Sequence, residues 1–195
     1  MNPVALDPSL ANSIVRYEGA LMMTHDLLSG LSDADAHVAP AKGGWSVAQC
    51  LDHLVVAGSR MRTRLEEDIA RARELGRVAK SDRPARFSWF DKLFIFAVAR
   101  GPQGKPPRVK AKHVPLFDPG PGRPIPIVVA EFVSLQDRLI ATARSAQGLD
   151  LADIKVESLI NDKIKVALGA WFLAIAGHQE RHLDQAARVR RELGR

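Results

Sequence analysis

Apolar residues recur along this chain mostly three and four places apart, the spacing of one helix face. No stretch alternates at the period of a strand for more than a few residues. Leu10, Ile14, Tyr17, Leu21 and Leu28 predict a first helix that begins after Pro8, with Ser9 as its cap, and runs to about Leu28. The stretch SGLSDADAHVAPAKGG (29–44) gathers turn residues and reads as a loop. Ser46 with Gln49 three places on forms a capping-box pattern for a second helix. Val47, Leu51, Leu54, Met61, Leu65 and Ile69 continue it to about Leu75, where Gly76 can end it.

A shorter amphipathic segment follows, RFSWFDKLFIFAVAR (86–100), and then a long irregular stretch. Eight of the twelve prolines fall between Gly101 and Pro126, which rules against a long helix there. A third helix is expected from about Pro126 to about Ala146, carrying Ile127, Phe132, Leu135 and Leu139. GLDLADIKVESLINDKI (148–164) fits either a turn or a short strand, and a last helix from about Leu168 to Leu193 has the clearest pattern. Four long helices around one core predict an all-α four-helix bundle. Short connections force neighbours antiparallel, but the long stretch between helices two and three lets those two run parallel, giving one long crossover.

At 195 residues the chain fits a single domain spanning 1–195, long enough to bury a core without disulfides. Its one cysteine excludes an internal disulfide and fits a reducing compartment. The opening MNPVALDPSL lacks the basic and apolar regions of a secretory leader, and apolar runs such as LFIFAVA (93–99) are far too short to span a bilayer. A cytoplasmic location is the expectation.

The net charge of +6 invites a nucleic-acid or anionic-surface reading. The positive residues lie in two groups in mid-chain: Arg71, Arg73, Arg77, Lys80, Arg83 and Arg86, then Arg100, Lys105, Arg108, Lys110 and Lys112. Neither group carries the interleaved aromatics or motif of a nucleic-acid module, so a solvated basic insertion over about 77–125 is the simpler reading. It could also form a lid, a partner surface or a contact with a membrane surface.

Chemistry concentrates in the histidines. In the last helix His178 and His182 are only about 40° apart on the wheel and share the stripe of Trp171, Ala174, Ile175, Ala186 and Val189. Glu180, Arg181 and Asp184 are expected on the solvated side. Two buried histidines bonded to neighbouring helices would satisfy this pattern, and so would two ligands of a metal. Gln179 follows His178 where a zincin needs Glu, so that class is excluded. A third ligand must come from another helix, and His53, two turns into the second, is the best placed. His25, His37 and His113 read as exposed or capping, and Cys50 as a small buried hydrophobe.

GGWSVAQCLDHLVVA (43–57) and HQERHLDQ (178–185) together resemble the two signature blocks of the DinB/YfiT-like superfamily, in the same order and at similar separation. The resemblance implies an up-down-down-up bundle with a divalent metal held by His53, His178 and His182. It implies zinc or nickel as the metal; three histidines also suit iron or manganese. It also implies a reaction on a small-molecule substrate that depends on a low-molecular-weight thiol. Three neutral imidazoles leave a coordination position open, as in catalytic sites, where a bound water or thiol is activated. A thiol-dependent S-transferase and a hydrolase of electrophilic small molecules are both compatible, and a non-catalytic binding bundle is the alternative. Gln185, one turn beyond His182, is expected to orient a ligand or bound water. The aromatic segment Phe87, Trp89, Phe90, Phe94 and Phe96 could serve a homodimer contact as readily as a pocket wall.

Overall fold

The computed structural model describes residues 6–81, 83–99 and 114–194. Four long helices dominate it: α1 (Pro8–Leu28), α3 (Val47–Glu74), α5 (Ile125–Ser145) and α6 (Leu168–Glu192), with short helices α2 (Asp33–Ala36) and α4 (Trp89–Val98) in the connections. Two strands, β1 (Lys155–Glu157) and β2 (Lys165–Ala167), pair antiparallel just before α6. This hairpin resolves the ambiguous stretch after α5 in favour of strands.

The caps follow from local chemistry. Ser46 accepts the Gln49 N–H at 3.2 Å while the Gln49 side chain accepts the Ser46 N–H at 3.0 Å, completing the expected capping box. Gly76, at φ +63°, takes the left-handed turn that ends α3. α1 departs from expectation, because Asp7 rather than Ser9 caps it. With Pro8 at the first helical position, Asp7 is the residue flanking the helix, and its carboxylate accepts both the N–H and the hydroxyl of Ser9. α2 arises within the stretch expected to be loop, where Ser32 caps a single turn.

Helix direction is legible in the core. One cluster joins the start of α1 (Leu10, Ile14, Tyr17) to the ends of α3 (Met61, Leu65, Ile69) and α5 (Leu135, Leu139) and the start of α6 (Trp171, Phe172). The other joins the end of α1 (Leu27) to the starts of α3 (Val47, Leu51) and α5 (Val128, Phe132) and the end of α6 (Leu183, Val189). α1 and α6 therefore point one way and α3 and α5 the other, an up-down-down-up bundle with α3 and α5 parallel. Between the clusters α3 carries Gly58, where a Cβ would lie 2.6 Å from Leu135 Cδ2, so the glycine lets α5 pack closely.

The long crossover from α3 to α5 includes α4, whose buried Asp91 accepts the Ser88 and Ala167 N–H groups and lies 3.4 Å from Lys155 Nζ, fixing α4 to the hairpin. The first group of basic residues, Arg71 to Arg86, is exposed to solvent. Arg100, Lys105, Arg108, Lys110, Lys112 and His113 lie outside the described residues. No helix among the described residues is long and apolar enough to cross a membrane.

Candidate metal centre

His53 stands on the second turn of α3, and His178 and His182 on successive turns of α6, where the two helices pack together. One ring nitrogen from each lies within 4.8 Å of the other two. The tertiary fold thus brings together the three histidines that sequence reasoning singled out. His53 is buried; the other two are half-buried. Ring centroids lie 5.1 Å apart for His53–His178, 4.5 Å for His53–His182 and 4.6 Å for His178–His182.

Each ring is held. His53 Nδ1 lies 2.7 Å from the Phe117 carbonyl oxygen, which can only accept, so Nδ1 carries the proton and Nε2 presents its lone pair to the cluster. His53 Nε2 and His178 Nε2 are 3.3 Å apart, close to the edge of a tetrahedron around an ion about 2.0–2.1 Å from each nitrogen. His182 Nδ1 is buried and has no hydrogen-bond partner in the protein. Gln185, one turn further along α6, lines the cavity beside His182 and works weakly against the lowering of its pKa.

The electrostatics favour neutral imidazoles. Burial, then the neighbouring His53 and Arg181, lower the His178 pKa to about 3. Burial and the adjacent rings push His182 well below its ordinary value. Burial also lowers His53, against opposing help from the Phe117 carbonyl and from Asp118 and Asp52. Neutral imidazole is the form that ligates a metal, so this donor set suits a divalent ion.

A strap over residues 114–124 supplies the Phe117 carbonyl, and the residue beside His53 anchors it. Buried Asp52 accepts the Gly120 N–H and a hydrogen bond from Arg123 Nη1 at 2.8 Å. The His37 ring lies 3.0 Å from the Arg123 carbonyl and 2.7 Å from that of Asp33, so it ties α2 to the strap rather than joining the site. His25 is exposed beside Asp26. Cys50 is fully buried, burial pushes its thiol up to about 12, and it is not among the groups that converge with the three histidines.

Several neighbours carried no predicted role at the site. Trp45, just before the Ser46 cap, lies with its ring 4.6 Å from His53 and 5.7 Å from His182. Its place next to the capping box, two turns before His53, was the available signal. Arg181 and Glu180 are not solvated surface. Arg181 donates to the Ala97 carbonyl at 3.1 Å, and Glu180 accepts from Arg16 Nε and Nη2 at 2.7 and 2.9 Å, joining α1 to α6. Gly177 permits that crowding, since a Cβ there would lie 3.0 Å from Ala99 Cβ and 3.2 Å from Arg16 Nη2.

The histidines form one end of a cavity of about 640 Å³ between α3, α6, α4 and the hairpin. Met61, Phe94, Leu159, Ile160, Ile164 and Trp171 make much of its wall. One face of α4 is thus a pocket wall, with Phe94 packed edge-on against Trp171, while Trp89, Phe90, Leu93 and Phe96 face solvent.

An up-down-down-up bundle with three converging histidines at the end of an apolar cavity defines a class of helical protein suited to binding a metal. The chain belongs to the DinB superfamily, whose family model matches residues 16–186. Searches of curated proteins and of solved structures found no match to it.

Proposed function

We propose that this protein is a divalent-metal-dependent enzyme in which His53, His178 and His182 are the protein ligands. One observation carries the reading: three neutral imidazoles converge at the end of a cavity large enough for a small molecule. Zinc and nickel suit the donor set best, with iron and manganese as further options. Bound there, such an ion would supply Lewis-acid chemistry and favour the deprotonated form of a coordinated water or thiol. The substrate is an electrophilic small molecule, and the reaction is either transfer to a low-molecular-weight thiol or hydrolysis.

The chain's own residues prepare the site. The Phe117 carbonyl holds the His53 tautomer, Trp45 shields two of the rings, and Gln185 stands on the cavity lining one turn beyond His182, placed to orient a ligand or bound water. Arg181 and Arg188 line the histidine end of the cavity and favour negative charge developing there.

Metal analysis of protein prepared without a histidine tag tests the proposal. About one equivalent of divalent metal is expected in the wild type and well under half of that in His53→Ala. Metal-free wild type sinks the reading. Turnover of electrophiles with added thiol, against turnover of esters without it, then separates transferase from hydrolase. A second reading, a metal-binding module that pairs with a second copy or another protein, draws on the exposed Trp89, Phe90, Leu93 and Phe96 of α4. Stoichiometric metal with neither activity favours it.

A further inference from the structure

α4 is apolar on two sides. Its inner side, Phe94, Ile95 and Val98 with the buried Asp91, packs against the bundle. Its outer side carries Trp89, Lys92, Leu93 and Phe96, spaced three and four apart on one stripe, with Phe90 beside it. Trp89 is 75% exposed, Leu93 51% and Phe96 59%. Scattered exposed apolar residues are ordinary, but large ones sharing a helical stripe mark a surface that something covers. A helix apolar all round belongs in a core or in lipid, and ten residues are too few to span a bilayer.

The charge around the stripe selects what covers it. Lys92 stands within it, and Arg83 and Arg86 are exposed on the segment that leads into α4. None of the three has an ion-pair partner among the described residues. Asp91, the acid of α4 itself, is buried and engaged with Ser88, Ala167 and Lys155. The hairpin packed on α4 carries Lys155, Lys163 and Lys165 against Glu157 and Asp162, so it adds no excess of acid. A second copy laid on the stripe would bring these cations towards their own counterparts. An outward helix face is also convex, so a protein partner needs a matching groove, whereas lipid conforms to it.

We propose that the outer stripe of α4 docks this protein on an anionic membrane surface. Trp89, Leu93 and Phe96 seat at the boundary of headgroups and acyl chains, and Lys92, Arg83 and Arg86 meet the lipid phosphates. Lys92 fits such a stripe because its long stem lets the ammonium reach the headgroups from among the apolar side chains. Phe94, Ala97 and Val98 of the same helix line the cavity, so docking brings the cavity within one helix diameter, about 10 Å, of the lipid. Docking needs no metal, so it stands or falls apart from the metal reading.

Vesicle sedimentation with the full-length protein tests it. One set of vesicles is phosphatidylcholine alone, and the other contains about 30% phosphatidylglycerol, both at about 0.1 M salt. The anionic set is expected to bind at least about tenfold more tightly, and most of that preference disappears at high salt. Leu93→Ser combined with Phe96→Ser keeps every charge and is expected to lose at least about tenfold in binding. Arg83→Gln combined with Arg86→Gln is expected to lose the anionic preference. Met22→Ser, at an exposed apolar position of α1, is expected to bind as wild type does.

A second measurement needs no loss of binding. Trp45 and Trp171 line the cavity, whereas Trp89 is exposed, so anionic vesicles should shift the tryptophan emission to shorter wavelength. Trp89→Phe should still sediment with them and lose the shift. This arm decides the matter should the double serine variant not fold. Equal binding to both vesicle sets, no binding, or an unshifted emission overturns the proposal. Full binding by the double serine variant would mean that charge alone acts, and overturns it too. So does a dimer that fails to bind vesicles and that the same variant turns into monomer, because a second copy then covers the stripe.

Discussion

At the scale of single residues, the site depends on groups whose protonation is fixed by burial. Cys50 lies one turn from His53, yet enclosure among the starts of α3 and α5 and the end of α6 pushes its thiol up to about 12. Native protein at pH 8 should therefore react with a chromogenic disulfide reagent at least about a hundredfold more slowly than free cysteine does, with full reaction only in denaturant. Fast native labelling would contradict the burial. Asp52 acts through its neighbour: its carboxylate holds the strap whose Phe117 carbonyl fixes the His53 ring. Asp52→Ala should cost about 1–3 kcal/mol in denaturant unfolding and should weaken zinc binding about tenfold or more, read by competition with a chelator. A loss of stability with unchanged zinc affinity would show that the strap does not support the ring.

At the scale of elements, α3 owes its start to a side-chain cap and its end to a glycine, both visible in the sequence. Ser46→Ala removes the acceptor for the Gln49 N–H and should destabilise the protein by about 1 kcal/mol, measured as a shift in the urea midpoint at unchanged slope. The periodicity of apolar residues gave the four long helices within a residue or two, because each buries one continuous stripe. The smaller elements were less legible. α2 is one turn made by Ser32 within a run of turn residues, and β1 and β2 are three residues each, too short for alternation to register. Asp7 took the cap of α1 from Ser9 because Pro8 occupies the first helical position, a contest between adjacent candidates that only the backbone path decides.

At the scale of the whole molecule, α4 and the hairpin close the cavity, and Asp91 joins them. Burial works against its charge, but hydrogen bonds from Ser88 and the Ala167 N–H, with Lys155 nearby, more than offset it and hold the carboxyl below its ordinary value. A depressed carboxylate stabilises the fold above the unfolded value of about 3.9, and that contribution is lost as pH falls through the lower folded value. Asp91→Asn should thus be less stable than wild type at pH 7 by about 1–2 kcal/mol, with the gap narrowing below about pH 4. Thermal unfolding from pH 7 down to 3 measures it, and a gap that widens with acid would reverse the assignment.

What the sequence determined by itself was local or periodic: the long helices, the capping box, the pairing of His178 with His182 on one face, and the two blocks that mark the superfamily. These follow from interactions within a few residues, where helix geometry turns spacing into direction. The tertiary structure decided which distant groups meet. It set His53 against α6, laid Trp45 over two rings, turned Glu180 towards Arg16, and set the Phe117 carbonyl on a ring 64 positions away in sequence. No spacing rule encodes those meetings, because they depend on how four helices and a long crossover pack at once, and the cavity exists only after they have.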